Sequence, residues 1–324
     1  MSSLTSILGL DVADLIQNLE EHYHIFTTKP VDPKKSGREI AAPSPELKAA
    51  QKRLLQVVLC RVPPHPAAMA YRPDSSAVMN ARRHLGSNFL LKTDFSRFFQ
   101  SIKVQQVQRT LWSRLPNLNR SAFREVCALT TFRGSLPLGA PTSPHLSNLV
   151  MYEFDEQIHA AAARFGAIYT RYADDMTVSA KSANIIDHLD SLIVLLAGEM
   201  SLTRNVEKTR RLVPKDVKIV TGLEVSGTVL KPTREFRRRT RALARVCVKY
   251  PKTSRMLLQR VLGALSFWHD VTPGDRELIE IGAAVGEAFP QISLMRTGLR
   301  SRVRRTHVAG GLTHASGPDE EPPF

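Results

Sequence analysis

Residues 167–179 read Ala-Ile-Tyr-Thr-Arg-Tyr-Ala-Asp-Asp-Met-Thr-Val-Ser, two strand-forming runs separated by an adjacent pair of aspartates. Ile168, Tyr169 and Thr170 before the break, and Met176, Thr177 and Val178 after it, suit a pleated, half-buried ribbon. The segment is therefore expected to form a hairpin with acid at its tip. Two like charges placed there cost stability unless something neutralises them, and a divalent cation is the usual neutraliser. Taken alone, Asp174 and Asp175 read equally well as a solvated turn.

Working outward, Phe89-Leu90-Leu91-Lys92-Thr93-Asp94 reads as a short buried strand ending in a third acid. If this strand and the hairpin are neighbours in one antiparallel sheet, three carboxylates converge. Such a set matches what two-metal phosphoryl transfer needs. Oxygen ligands hold two Mg²⁺ ions, or Mn²⁺ in their place, roughly 3.5–4 Å apart; one activates a hydroxyl and the other stabilises a leaving pyrophosphate. Asp94 alone reads as a strand-end or helix-cap aspartate.

The flanking segments suggest an α+β fold with an antiparallel sheet. Helical spacing runs over 2–21 and from Pro45 to about Leu59, with Ser44 as N-cap and Pro45 at the first helical position. Between them His24–Ile40 is strand-like at its ends, with a Lys34-Lys35-Ser36-Gly37 turn that makes a basic hairpin over a site. Residues 61–75 read as a loop, 76–85 and 104–130 as helix, and 134–144 as a Gly/Pro-punctuated loop. Residues 146–165 read as one long helix and 183–200 as another. Strands follow near 211–213, 217–220 and 223–230.

From Thr233 the chain turns helical and arginine-rich. Arg234, Arg237, Arg238, Arg239, Arg241 and Arg245 cover much of one helix, while Leu257, Leu258, Val261, Leu262 and Leu265 give the next an apolar stripe. One side packs and the other grips a nucleic-acid backbone; a solvated basic helix on an unrelated domain is the other reading. A second basic cluster (Arg296, Arg300, Arg302, Arg304, Arg305) precedes 306–324, which read as a disordered tail.

The bulk numbers agree with a polyanionic partner. The 324 residues carry 45 Lys and Arg against 30 Asp and Glu, a net +15. Cys60, Cys127 and Cys247 are widely separated and lack CxxC spacing, which argues against a zinc site and a disulfide scaffold and fits a reducing cytoplasm. Asp11 and Asp14 interrupt the first apolar stretch, so no signal peptide is expected, and no run approaches the ~18 apolar residues of a membrane helix.

With these segments in view, Tyr172-Ala173-Asp174-Asp175 resembles the signature of reverse transcriptases, and the resemblance runs from about Lys34 to Leu230. Leu91 to Ile102 is similar to the family's first catalytic motif, Leu136 to Asn148 to its second, and Asn205-Val206-Glu207-Lys208-Thr209 to the motif that carries a lysine near the leaving pyrophosphate. Leu138 departs from the glutamine common in the family, which puts a hydrogen bond near the template or incoming nucleotide in doubt. Asn80-Ala81-Arg82-Arg83-His84 and Val220-Thr221-Gly222 are similar to two elements of bacterial retron reverse transcriptases. Each could also be plain structure, the first a packed helix end and the second a strand ending in a turn.

The resemblance implies a right-hand polymerase. Its parts would be N-terminal helices and fingers over 1–90, a palm over 91–232 with part of the fingers interleaved at 104–135, and a helical thumb over 233–305. It implies metal ligation by Asp94, Asp174, Asp175 and the Phe95 carbonyl, and proton donation to pyrophosphate by Lys208. Lys34, Lys35 and Arg38 would grip the triphosphate, Leu138 and Gly139 would line the nucleotide site, and the Phe99 ring would exclude a 2′-hydroxyl. Core packing beside Phe98 is the other reading of Phe99: if the segment is extended, only one of the two rings can face the site. Asn80, His84, Val220, Thr221, Gly222 and the thumb arginines would contact RNA.

The function implied is RNA-directed DNA synthesis on a cognate noncoding RNA, primed from an RNA 2′-hydroxyl to give branched RNA–DNA, in anti-phage defence with an effector protein. A protein-primed or untemplated defence polymerase and a non-catalytic RNA-binding scaffold are the alternatives.

Overall fold

The computed structural model describes residues 4–29, 37–250 and 255–290. Lys34, Lys35, the Arg296–Arg305 cluster and the expected tail 306–324 lie outside the described residues. The chain divides into two units, one ending at Leu230 and one beginning at Lys231.

The helical spacing over 2–21 gives two short helices instead of one, α1 (Leu4–Leu8) and α2 (Ala13–Gln17). Gly9, at φ +66°, closes the first, and the Asp11 carboxylate accepts the Ala13 N–H at the start of the second. Strands β1 (Tyr23–Thr27) and β2 (Glu39–Pro43) pair antiparallel. Helix α3 (Pro45–Val57) opens as expected, the Ser44 hydroxyl accepting the Leu47 N–H. Helix α4 (Ala77–Arg83) is capped in the same way by Ser76.

Strand β3 (Phe89–Asp94) ends at the first acid. The segment after it is not extended: Phe98–Ser101 form one helical turn, α5. The helix expected over 104–130 is broken between α6 (Val104–Arg114) and α7 (Arg120–Thr130), where Leu115 leaves the helical region ahead of Pro116. The long helix expected over 146–165 is likewise two, α8 (Ser143–Val150) and α9 (Tyr152–Arg164), divided at Met151 with ψ 2°. Met151 is itself fully buried, so the apolar stripe runs unbroken through the kink and hides it.

Strands β4 (Ile168–Tyr172) and β5 (Asp175–Ala180) form the expected hairpin, followed by helix α10 (Ala183–Glu199) and strand β6 (Arg210–Leu212). The sheet order is β4-β5-β3-β6, antiparallel throughout. Helices α9 and α10 cover this sheet and α8 packs on α9, burying Leu146, Phe154, Ile158, Ile186, Leu189 and Ile193 in one core with Leu91, Tyr169, Met176 and Val178. Of the strands expected over 217–230, only β7 (Ile219–Val220) and β8 (Leu223–Glu224) form. They are joined through Thr221 (φ +44°) and Gly222 (φ +79°), the two positive φ angles of a tight hairpin turn.

In the second unit α11 (Arg234–Lys249), α12 (Arg255–Val271) and α13 (Arg276–Ala288) enclose a small core. Cys247, Val261, Leu265, Trp268 and Val285 fill it, with Leu257, Leu258 and Leu262 packed against them, so the expected stripe faces inward. No helix among the described residues is long and apolar enough to cross a membrane.

A buried ion pair organises the sheet's edge. Arg171 on β4 and Asp155 on α9 are both fully buried and meet bidentately, Nε to Oδ1 at 2.8 Å and Nη2 to Oδ2 at 2.6 Å. Tyr169 donates its hydroxyl to the same carboxylate at 2.8 Å. Burial and the neighbouring carboxylate hold that phenol's pKa well above its ordinary value. The third guanidinium nitrogen donates to Asn148 Oδ1 at 3.1 Å and to the carbonyl of Ala173 at 2.9 Å. Asn148 Nδ2 in turn donates to the Ala70 carbonyl, and the Met69 N–H donates to the Arg171 carbonyl. Arg171, through its guanidinium, its backbone carbonyl and its partner Asn148, thus ties α8, α9, the 67–70 segment and the turn that carries the aspartates.

His84 and Asn80, expected to touch RNA, are buried instead. The two nitrogens of the His84 ring are each 2.8 Å from a hydroxyl, Ser179 on β5 and Thr170 on β4. Val220 is buried as well, and the Thr221 hydroxyl donates to the Ala77 carbonyl at 2.6 Å. The two short elements are therefore one brace behind the hairpin, with side chains committed inward.

Removing one partner of a buried pair costs about 3–5 kcal/mol because the other charge is stranded. Arg171→Met is expected to lower the unfolding free energy by that amount in denaturant titrations, and a loss under 1 kcal/mol would contradict the network's role. Burial, with a lesser contribution from Arg83, depresses the His84 pKa to about 3. Neutral His84 then contributes stability that is complete above pH ~6.5 and lost as pH falls toward 3, at about 1.4 kcal/mol per unit. The difference in stability between wild type and His84→Gln should shrink over that window and stay flat above it.

Candidate active site

The sheet register brings the acids together. Asp94, the last residue of β3, pairs directly with Asp175, the first of β5, so their side chains share one face. Asp174 lies in the two-residue turn between Tyr172 and Asp175. Its neighbour Ala173 has φ +59°, where glycine is usual, and the bond from Arg171 to the Ala173 carbonyl holds that strained peptide.

Two lysines offset the charge. Lys208 Nζ lies 2.6 Å from Asp94 Oδ2, and Lys92 Nζ lies 3.5 Å from Asp175 Oδ2. Loss of solvent is the main reason that the Asp174 and Asp175 pKa values are raised. Repulsion from Asp94 adds to both; Lys208 and Arg38 oppose it at Asp174, and Lys92 at Asp175. As the side chains stand, no three acidic, histidine or cysteine groups among the described residues are gathered closely enough to hold one ion. The expected convergence holds in backbone register but not as a closed ligand set, since Asp94 and Asp175 each turn to their own lysine.

The donor chemistry nevertheless fits a hard cation. Every acid side chain offers carboxylate oxygen, and Asp94 Oδ1 is buried with no hydrogen-bond partner. Asp94, Asp174 and Asp175 would hold such an ion. At Phe95 the neighbouring Ser96 N–H and Asp94 carbonyl bond to Thr203 and Asn205, and the Phe95 carbonyl takes no part in those bonds.

These bonds also position Lys208. The Asn205 N–H donates to the Asp94 carbonyl, and Asn205 Oδ1 accepts the Lys208 N–H, so the lysine rises from a turn anchored on the catalytic strand. Arg204 locks the base of that turn, donating to Thr93 Oγ1 at 2.7 Å and pairing with Asp190 at 2.7 Å.

Leu138 and Gly139 dock on β2. The Leu138 carbonyl accepts the Ala41 N–H at 2.8 Å; at Gly139 (φ +126°) a Cβ would stand 2.7 Å from the Ala41 carbonyl oxygen, so only glycine fits. Arg38, just before β2, is exposed and close enough to lower the pKa of Asp174. Phe98 is buried, whereas Phe99 on the α5 turn is half-buried with its ring centroid 6.4 Å from that of Tyr71. The α5 turn, not strand alternation, separates the two rings.

The expected thumb residues divide. Arg237 and Arg241 are half-buried and pair with Glu277 on α13; Arg234, Arg238, Arg239 and Arg245 are exposed. Sequence reasoning missed Arg171, Asp155, Arg204, Lys92 and Tyr71. Arg171 carried a signal, a charged residue inside an otherwise strand-forming run.

Residues 28–255 match the family model described as reverse transcriptase (RNA-dependent DNA polymerase). The chain is 34% identical over 244 residues to the Retron Ec86 reverse transcriptase of Escherichia coli, covering 75% of each protein. It is 32% identical to the Retron Mx65 reverse transcriptase of Myxococcus xanthus, covering 68% of this chain and 55% of that one. Among solved structures, the apo telomerase of Candida tropicalis shares the fold, with a TM-score of 0.51 at 11% identity, over 89% of this chain and 63% of that one. The chain belongs to the reverse transcriptase family of RNA-dependent DNA polymerases and, within it, to the bacterial retron type.

Proposed function

We propose that this polymerase copies part of a structured noncoding RNA in the bacterial cytoplasm, starting from a 2′-hydroxyl of that RNA. The product is DNA branched from RNA, made in anti-phage defence with an effector protein. The observation that carries the polymerase chemistry is the register of Asp94 opposite Asp175, with Asp174 in the adjoining turn and a buried Asp94 oxygen lacking any partner. The branched product and the defence role rest on likeness to retron enzymes.

Two Mg²⁺ ions bound by these acids and the Phe95 carbonyl would neutralise phosphate charge and acidify the primer hydroxyl. The chain's own residues do the rest. Arg38, with Lys34 and Lys35, grips the incoming triphosphate, and Leu138 and Gly139 line its site. Lys208 stands beside Asp94 and donates a proton to the departing pyrophosphate. Phe99 closes against the sugar and excludes a 2′-hydroxyl. Residues 1–90 act as fingers, 91–232 as palm and 233–305 as thumb. The exposed Arg234, Arg238, Arg239 and Arg245 hold the duplex backbone without reading sequence.

Incubating the protein with Mg²⁺, the transcript encoded next to its gene and labelled dNTPs should give DNA whose RNA portion is RNase-sensitive and joined through a 2′ branch. Products that do not match the transcript would indicate untemplated synthesis, and no incorporation on any template would reduce the protein to a scaffold. Asp94→Asn and Asp174→Asn should each lower incorporation by about three orders of magnitude or more. In metal-free buffer at neutral pH, Asp174→Asn should also raise the melting temperature by roughly 2 °C or more, since it removes a charge that burial and Asp94 disfavour.

A further inference from the structure

The sugar-facing ring Phe99 does not stand alone. One side rests on the buried Phe98, with centroids 5.5 Å apart, and another meets Tyr71 at 6.4 Å and an interplanar angle of 51°. Tyr71 is 47% exposed, a large ring left in solvent beside the catalytic acids. Its backbone has φ +58°, a region that a bulky side chain rarely adopts.

That strain has a visible cause. Just before it, the Met69 N–H is held by the Arg171 carbonyl, the Met69 carbonyl accepts from Ser75 Oγ, and the Ala70 carbonyl accepts from Asn148 Nδ2. The chain leaves this clamp in a left-handed turn that projects the ring toward Phe99. Strained conformations persist where the surroundings over-determine them, and they cluster at functional sites. The side-chain contact that the Tyr71 ring makes is with Phe99. Although nearly half exposed, the phenol has a raised pKa, through loss of solvent first and then the Asp174 charge, with Arg171 and then Arg38 opposing; its polar end thus lies within electrostatic reach of Asp174.

We propose that Tyr71 is a positioning residue for sugar selection: its ring, set by the clamp on the Arg171 network, holds Phe99 in place against the deoxyribose of the incoming nucleotide. This rests on the reading of Phe99 as the group that excludes a 2′-hydroxyl. Without the Tyr71 ring, Phe99 can swing toward the space it leaves, and a ribonucleotide is admitted. The hydroxyl is dispensable for this purpose and the ring is not.

The test is the ratio of kcat/KM for dNTP over rNTP on a primed RNA template with the full chain. The ratio is independent of the fraction of protein that folds. Phe99→Ala should collapse it; Tyr71→Ala should lower it roughly tenfold, chiefly by admitting rNTP. Tyr71→Phe should keep it within about twofold of wild type, and Tyr71→Ala added to Phe99→Ala should lower it little further, because both act on one group. If Phe99→Ala relaxes selection while Tyr71→Ala slows both substrates equally, Tyr71 is only structural and the inference fails with the Phe99 reading intact. If Phe99→Ala leaves the ratio unchanged, the Phe99 reading itself fails.

Discussion

The fully buried Arg171–Asp155 pair is the interaction on which the active-site geometry depends. A guanidinium with five donors is expensive to bury, and here its neighbours meet the cost with acceptors drawn from three separate places: the Asp155 carboxylate, the Asn148 amide and the Ala173 carbonyl. Those acceptors lie on two helices and the catalytic turn. Because such a network is stable only when complete, it makes the position of the turn an all-or-none property of the fold. The left-handed Ala173 and Tyr71 are both tied to it, and both lie near Asp174.

Around that fixed turn the site is built as an unfavourable arrangement partly relieved. Placing Asp94 opposite Asp175 concentrates negative charge on one sheet face, and Lys208 and Lys92 relieve it without closing over the acids. The lysines leave one buried Asp94 oxygen without a partner, so a cation that brings its own charge and coordination has something to gain there. A site pre-paired in this way has its charge balanced by the chain's own side chains, Lys208 at Asp94 and Lys92 at Asp175.

The two short elements at Asn80–His84 and Val220–Gly222 act from behind the hairpin. His84 bridges β4 and β5 through hydroxyls, while Thr221 closes a strained turn onto the first residue of α4. Neither element presents its key side chains to solvent. Their visible contacts are with the chain itself, His84 with the two strands that flank the aspartates and Thr221 with α4.

Much was legible in the residues alone. Local pattern determined β3, the Asp-Asp hairpin, the capped start of α3 and the inward stripe of α12, because each depends on neighbours a few positions away. The motif order pointed to the polymerase and to Asp94, Asp174 and Asp175. Breaks inside apolar stretches were not legible: at Met151 burial continues through the kink, and at Phe98–Ser101 a single turn leaves no periodic trace. Nor could spacing tell that Asn80 and His84 face inward, or that Arg237 and Arg241 are spent on Glu277. Only the tertiary structure decided the register of Asp94 on Asp175, the lysine partners and the Arg171 network that aims Tyr71. Pairings between distant segments are set by how helices pack on the sheet, and one-dimensional periodicity carries no record of them.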